Sequence, residues 1–321
     1  MKHLIHKKHH PHLKKRAFLE LGGLGLLLLL LFSQRTVITE AIATVSRVEV
    51  IWFIVLLGLF WFLLPLTAYS YRLISPKPKN LKITTTTIAH LAGSGPGRII
   101  PGGIGNLTIG AMHLKKTGLT IEQSVAVVAT NNIFGMLVMV SLVLGTLLIR
   151  PESISIITNS ISANQLIIGG IFGVAMIVLA QWLFHARGTH REIIKTLRQW
   201  RLILSLFFSN PIKVIQVIVV ALCVALLHTL LLHFSAFALN IDLAFTDALI
   251  ALSFGVALGG IFPTPGGVGG VETGITGVLI VLGYDATSAT SIAVLYRVAT
   301  YWQPLIPGTL AYLYLRERKL L

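Results

Sequence analysis

The chain has 321 residues, of which 55% are hydrophobic and only 12% are charged. A water-soluble protein of this length cannot bury so much apolar surface, whereas a lipid bilayer can accommodate it. The formal net charge is +15, but the basic residues cluster at the ends of apolar stretches. That distribution is typical of membrane topology signals and argues against a nucleic-acid partner.

Six apolar stretches are long enough to cross a bilayer, for which a helix needs about 20 apolar residues. In chain order the predicted spans are 17–32, 48–69, 124–149, 165–184, 212–239 and 288–314. Two further apolar stretches, 83–114 and 247–282, are each interrupted near the middle by Pro and Gly. We expect each to form a re-entrant helical hairpin that enters and leaves the membrane by one face. Pro304 and Pro307 predict a kink in the last span.

A five-residue motif occurs twice, as Pro-Gly-Gly-Ile-Gly at 101–105 and as Pro-Gly-Gly-Val-Gly at 265–269. Three predicted spans separate the copies, and an odd number of crossings turns the second copy upside down. Inverted-topology repeats of this kind place a binding site near the bilayer midplane. The predicted fold is an all-α polytopic membrane protein with about six transmembrane helices and two re-entrant helical hairpins in an inverted-topology repeat. Its predicted parts are a basic tail at 1–16 and one membrane domain at 17–321, with repeat halves at about 48–184 and 212–315 and a basic amphipathic linker at 185–211.

The basic residues predict the orientation. In this topology 21 Lys and Arg residues lie on one side and 3 on the other, while Arg98 and Arg297 lie within the membrane. The positive-inside rule then predicts an inner-membrane protein with both termini in the cytoplasm. Lysines between the histidines of the tail at 1–16 disfavour a bound cation there, so we expect a solvated tail and no metal site. The single cysteine, Cys223, allows no intrachain disulfide, and we expect no cofactor.

Each Pro-Gly motif brings two helix ends together inside apolar sequence. Glycine permits the sharp turn, and proline helps to end the incoming arm. The outgoing helix presents free N–H groups at its N-terminus, which favour an anion such as a phosphate or a carboxylate. Tight helix packing alone is the other explanation of the glycines, and two inverted copies favour a midplane site over it.

Three ionisable residues lie inside predicted membrane segments: Arg98, Glu272 and Arg297. Each costs about 2.5–3.5 kcal/mol or more at the bilayer centre, so a functional role is the default expectation. Counting from the outer surface at about 1.5 Å per residue puts Glu272 and Arg297 at one depth. We therefore expect these two side chains to pair or to share a bound headgroup.

The first half carries amides where the second carries charges. Asn106 follows the first motif, and Asn131 and Asn132 lie in the next span, where helix–helix hydrogen bonding explains them equally well. We interpret the membrane histidines as structural rather than as a proton relay; they are His90, His113, His228 and His233. The candidate substrate-binding residues are Arg98, Pro101, Gly102, Gly103, Gly105, Asn106, Asn131, Asn132, Pro265, Gly266, Gly267, Gly269, Glu272, Tyr296 and Arg297.

The second motif, followed by Glu272, by Leu-Tyr-Arg at 295–297 and by Gly308, resembles the transmembrane region of lysylphosphatidylglycerol synthases and the stand-alone, flippase-like membrane proteins grouped with it. The first motif with Lys-Lys-Thr-Gly-Leu at 115–119 is similar to the first half of that pattern. The likeness covers the chain from about residue 48 to residue 315. Many relatives have Glu after the first-half glycine and a Glu-Arg pair in the next helix, where this chain has asparagines. The resemblance implies a multi-pass protein that binds or flips phospholipid.

The sequence thus predicts a non-enzymatic protein that binds and translocates a phospholipid or a lipid-linked headgroup across the inner membrane. The anionic headgroup would sit between the hairpin tips, with Arg98 on its phosphate and Glu272 and Arg297 pairing or gating. We expect no catalytic residue, because no hydrolase motif, phosphate loop or aminoacyl-transferase domain is recognised. Two alternatives stay open: a small-solute or ion transporter that couples to protons through Glu272, and a non-transporting partner subunit. Homo-oligomerisation is also open.

Overall fold

The computed structural model describes residues 48–98, 104–151, 190–261 and 267–321. The predicted spans at 17–32 and 165–184 and the tail at 1–16 lie outside these ranges. Within them the secondary structure is helical, with short 3₁₀ turns at Pro78–Asn80 and Pro96–Arg98 and a π-helical turn at Val298–Trp302. The α-helices of the described ranges are α1 Val50–Ile74, α2 Ile83–Gly93, α3 Ile104–Lys116, α4 Ile121–Ile149, α5 His190–Phe208, α6 Pro211–Phe237, α7 Phe245–Ile261, α8 Gly270–Val281, α9 Ala286–Arg297 and α10 Leu305–Glu317.

Three helices of the described chain, α1, α4 and α6, are long and apolar enough to cross a membrane. They confirm the spans expected at 48–69, 124–149 and 212–239. The 29 residues of α4 extend about 44 Å at 1.5 Å per residue, more than the hydrocarbon core of about 30 Å. Large apolar side chains such as Leu144 and Leu148 are exposed along α4, as lipid-facing residues must be. The chain is therefore an all-α, polytopic membrane protein.

The two interrupted stretches form helical hairpins. The arms α2 and α3 pack against each other, and so do α7 and α8. In the first hairpin the break begins at Ser94, several residues before the predicted Pro-Gly motif. The physical reason is the segment Gly-Ser-Gly-Pro-Gly at 93–97, in which proline and glycine already oppose helix continuation.

Each hairpin ends in a glycine turn. Gly118 follows α3 with a φ of +96°, and Gly283 follows α8 with a φ of +99°, a left-handed backbone that side chains rarely adopt. A capping residue then opens the next helix in each case. The hydroxyl of Thr120 accepts from the Gln123 N–H at the start of α4, and Asp285 accepts from the Ser288 N–H at the start of α9.

Helices from the two parts of the chain pack on one another in a reciprocal pattern. The first long helices, α1 and α6, run antiparallel, because the Glu49 N–H before α1 donates to the Ala238 carbonyl after α6 at 2.9 Å. The last helix, α10, packs on the first arm of the first hairpin, α2, and α4 packs on the first arm of the second hairpin, α7. One buried apolar cluster joins α1 to helices α6 to α9 through Leu56, Leu231 and Ile292.

The last predicted span, at 288–314, is helical but interrupted, as its predicted kink requires. It is divided into α9, the π-helical turn and α10. In the turn the Gln303 N–H reaches five residues back to the Val298 carbonyl at 2.9 Å. Pro304, which has no N–H to donate, follows directly, so the interruption lies where the prolines predicted a kink.

The basic linker contains a helix, α5, as the sequence predicts. It packs on α4, where Ile203 and Phe207 are buried and the Trp200 indole N–H donates to the Thr130 hydroxyl at 3.0 Å. Ile194 and Leu197 are exposed beside the basic residues. Such a surface suits the headgroup layer of a membrane.

Candidate functional site

A carboxylate side chain follows directly after the tip of the second hairpin. Gly267 and Gly269 have φ values of +68° and +86°, so glycine is required at both positions of this turn. Glu272, in the first turn of α8, accepts a hydrogen bond from the Gly269 N–H through Oε2 at 2.8 Å. The carboxylate thus satisfies a free N–H group at the start of α8 and lies favourably in the helix dipole.

The other oxygen of Glu272 pairs with Arg297, the last residue of α9. Arg297 Nε lies 2.9 Å from Glu272 Oε1, and the two side chains are only 8% and 13% exposed. The expectation that these residues meet is confirmed. Burial of two charges is tolerated here because they are paired and hydrogen-bonded.

A tyrosine of the π-helical turn contacts both Arg297 and the arginine of the first hairpin. The guanidinium carbon of Arg297 lies 4.5 Å from the ring centroid of Tyr301, and that of Arg98 lies 4.9 Å from it. The two guanidinium groups are therefore no farther apart than the sum of these distances. Both are within the range of cation–π attraction. The Tyr301 ring thus joins Arg98 to the Glu272–Arg297 pair.

Positive charge is in excess at this cluster. None of the carboxylates in the described ranges forms an ion pair with Arg98, and Glu272 already holds Arg297. Arg98 is partly exposed and interacts repulsively with Arg297. An anion with several oxygens would relieve that repulsion, because guanidinium groups bind phosphate and carboxylate with paired hydrogen bonds. The arrangement is suited to binding one anion.

The glycines of the first hairpin bring its backbone segments into contact. A Cβ atom on Gly105 would collide with the Gly97 carbonyl, and one on Gly93 would collide with the Asn106 side chain. Asn106 is therefore packed against the first arm of its own hairpin. Five candidate residues lie outside the described ranges: Pro101, Gly102, Gly103, Pro265 and Gly266.

The structure does not bring the remaining amides to the arginines. Asn131 donates to its neighbour Asn132 at 3.5 Å on α4, and within the described ranges neither contacts Arg98 or Arg297. A binding role for Asn131 and Asn132 stays a prediction. Thr130 beside them is buried, donates to the Ala126 carbonyl and holds Trp200, which is a structural role.

Tyr301 is a residue of this cluster that the sequence did not indicate. Tyr296, a candidate binding residue, is only 3% exposed, and its hydroxyl lies 3.1 Å from His228 Nδ1. His90 meets the Tyr71 ring edge to face, with the ring centroids 6.2 Å apart. The interpretation of His90 and His228 as structural residues stays a prediction. The interpretation holds for His233, which packs among phenylalanine rings at distances of 5.3–6.0 Å. It also holds for His113, which contacts Thr86 and the Leu320 carbonyl.

We expect Tyr301→Leu to lower the free energy of unfolding by about 1–3 kcal/mol, because the ring attracts two guanidinium groups. Tyr301→Phe keeps the ring face and should stay within about 0.5 kcal/mol of the parent protein. Unfolding in mixed micelles, followed by tryptophan fluorescence, would measure both changes. Equal losses in the two variants would show that the ring face does not hold the arginines.

Comparison with known proteins identifies the family of this chain. The profile of a family described as the lysylphosphatidylglycerol synthase transmembrane region matches residues 18–308. No curated protein and no solved structure matches the chain. The matched residues include both hairpins, Glu272 and Arg297, and they end at Gly308, where α10 meets the first hairpin. The chain therefore belongs to the lysylphosphatidylglycerol synthase transmembrane-region family, a family of membrane proteins linked to lipid handling.

Proposed function

We propose that this protein binds an anionic phospholipid headgroup at the cluster of Arg98, Tyr301 and Arg297 and moves it across the membrane. One observation carries the proposal: guanidinium groups from the first hairpin and from α9 share a tyrosine ring, and the one carboxylate of the cluster pairs with only one of these two cations. The phosphodiester would lie against Arg98, while Glu272 and Arg297 hold the tip of the second hairpin in place. The acyl chains would stay in lipid.

We further propose that the two halves form an inverted-topology repeat with a site between them. Support comes from the antiparallel α1 and α6, the matched glycine turns at Gly118 and Gly283, and the reciprocal packing of α10 on α2 and of α4 on α7. A pseudo-two-fold axis generates contacts in such reciprocal pairs. The function would require alternating exposure of the site, for which repeats of this kind are suited.

The distribution of Lys and Arg supports an inner-membrane location with cytoplasmic termini, which we include in the proposal. We propose binding and transport without an enzymatic step, since the cluster joins arginines and tyrosine without an activated nucleophile. Labelling of single cysteines introduced at each end of the chain, from either side of sealed vesicles, would test the orientation. Homo-oligomerisation stays a prediction.

The direct test is a flip assay in proteoliposomes that contain phosphatidylglycerol with a labelled headgroup. The protein should accelerate its movement over that in empty vesicles. Arg98→Gln should reduce the rate tenfold or more, because a lost hydrogen bond to a charged group costs about 1.5–3 kcal/mol. Arg150→Gln is the matched control, since Arg150 pairs with Asp247 and Thr246 away from the cluster.

Three outcomes would count against the proposal. Movement no faster than in empty vesicles would contradict transport. Equal rates for phosphatidylglycerol and phosphatidylcholine would contradict selection of an anionic headgroup. Transport of a small anion whose rate is not reduced by added lipid would favour a solute transporter instead.

A further inference from the structure

Helix α5 is attached to the membrane-spanning helices along one side. The Trp200 indole N–H donates to the Thr130 hydroxyl of α4 at 3.0 Å, and the Phe207 and Phe134 rings meet edge to face with their centroids 5.5 Å apart. Ile203, which lies between Trp200 and Phe207 on α5, is only 2% exposed. These contacts hold α5 against α4 and α6, on which it packs, and they fix which side of α5 is turned away from the protein.

The same contacts place α5 at one boundary of the bilayer core. The far end of α4 is marked by Arg150, which pairs with Asp247 at 3.2 Å. Counting back along α4 from Arg150 at about 1.5 Å per residue reaches Thr130 after about 30 Å, which is the thickness of the hydrocarbon core. Trp200 therefore lies at the depth of the headgroups, where tryptophan is favoured. In the orientation that we propose, this is the cytoplasmic leaflet.

The exposed side of α5 carries two arginines. Arg198 and Arg201 are exposed and lie one turn apart, so their Cβ atoms are about 5–6 Å from each other on one face of the helix. At about 100° per residue, this face is turned about 140–160° away from the buried Ile203. Leu202 and Leu206 lie beside the arginines and are 48% and 53% exposed. Helix α5 thus presents guanidinium groups next to uncovered leucines.

These arginines lack a negatively charged neighbour. The chain has no Asp or Glu between Glu192 and Asp242, a stretch that covers nearly all of α5 and the whole of α6. Among the residues that the structure describes, no carboxylate forms an ion pair with Arg198 or Arg201. A ligand for this surface should supply charged oxygens for the guanidinium groups and apolar chains for the leucines. An anionic phospholipid has both, and it is present at this depth of the membrane.

We propose that α5 forms a second lipid-binding site, separate from the arginine–tyrosine cluster beside the hairpin tips. The two arginines of α5 bind the phosphate of one anionic phospholipid, and its acyl chains lie along Leu202 and Leu206. Guanidinium groups suit this role because they form paired hydrogen bonds with phosphate oxygens. The lipid stays in its own leaflet, so binding here requires no movement across the membrane. The inference therefore does not depend on the proposed function.

Native mass spectrometry of the detergent-solubilised full chain, titrated with phosphatidylglycerol, would count the bound lipids. The parent protein should retain phosphatidylglycerol in preference to phosphatidylcholine. Arg198→Gln with Arg201→Gln should weaken one binding event by about tenfold or more, since each basic residue near anionic lipid favours binding by about fivefold. Arg316→Gln with Lys319→Gln is the matched control, because it removes equal charge from exposed positions at the other end of the described chain.

Hydrogen exchange would locate the bound lipid on the protein. In nanodiscs, replacing part of the phosphatidylcholine by phosphatidylglycerol should slow amide exchange in α5 of the parent protein. The same replacement should leave exchange in α5 unchanged in the variant that lacks both arginines. An unchanged exchange rate in the parent protein would contradict a lipid site on this helix.

Three further results separate this inference from its alternatives. Equal retention of the two lipids by the parent protein, which requires no variant, would overturn the inference. Loss of every bound phosphatidylglycerol in Arg98→Gln would also overturn it, because the cluster would then be the binding site. Protection of α5 by polyglutamate and not by phosphatidylglycerol would assign the surface to an acidic protein and overturn the lipid assignment. Failure of the flip assay with lipid binding at α5 intact would support this inference and overturn the proposed function alone.

Discussion

Glu272→Ala is expected to lower the free energy of unfolding by about 3–5 kcal/mol, since it removes one partner of a buried ion pair. The side chains of Arg297 and Glu272 are 8% and 13% exposed, so water can replace little of the lost interaction. The same change removes the acceptor of the Gly269 N–H at the tip of the second hairpin. Equilibrium unfolding in mixed micelles, followed by tryptophan fluorescence, would measure the loss.

Two further variants separate the contributions of the pair and of the cap. Glu272→Gln keeps an oxygen for the Gly269 N–H and should be less destabilising than Glu272→Ala. The exchange of the two charges, Glu272→Arg with Arg297→Glu, restores opposite charges but leaves no acceptor at the start of α8. It should therefore recover only part of the stability lost in each single charge reversal. No recovery at all would show that the direct pair is not the stabilising contact.

Gly95→Ala should be the second severe change, with a loss of about 3 kcal/mol or more, because an added Cβ would overlap main-chain atoms. It would lie 2.5 Å from the Gly308 carbonyl carbon and 2.9 Å from the Thr309 Cα. Backbone atoms cannot move aside by changing rotamer, so α10 would have to separate from the first hairpin. The thermal midpoint in detergent should fall accordingly.

The matched control is Gly135→Ala on α4, where nothing lies within 4 Å of the added atom. That substitution should be neutral or stabilise the helix by up to about 1 kcal/mol, since alanine has the higher helix propensity. Similar effects at positions 95 and 135 would contradict the close contact between α10 and the first hairpin.

Much of the architecture follows from length, apolarity and the repeated motif. The spans at α1, α4 and α6 follow from about 20 apolar residues each, and the two hairpins follow from Pro and Gly within apolar stretches. The pairing of Glu272 with Arg297 follows from their equal depth, because helical rise converts residue number into distance along the membrane normal.

The rest of the site depends on how each helix is rotated about its axis, which depth alone does not give. Tyr301 reaches the arginines from a π-helical turn, and the prolines that predict a kink there do not predict its π-helical form. Arg98 and Arg297 share the Tyr301 ring because the first hairpin and α9 present particular sides to it. That choice is made by side-chain packing between distant parts of the chain. The early break in the first hairpin reflects competition among several neighbouring Gly and Pro residues.

The π-helical turn at Val298–Trp302 has a consequence for how the gene can change. It accommodates one more residue than an α-helical turn would, and excising that residue would rotate everything after it by about 100°. Gly308 would then swing away from Gly95 while Arg297 kept its place. Deletions of a single codon here should therefore be removed by selection, whereas surface loops tolerate a deletion of the same length.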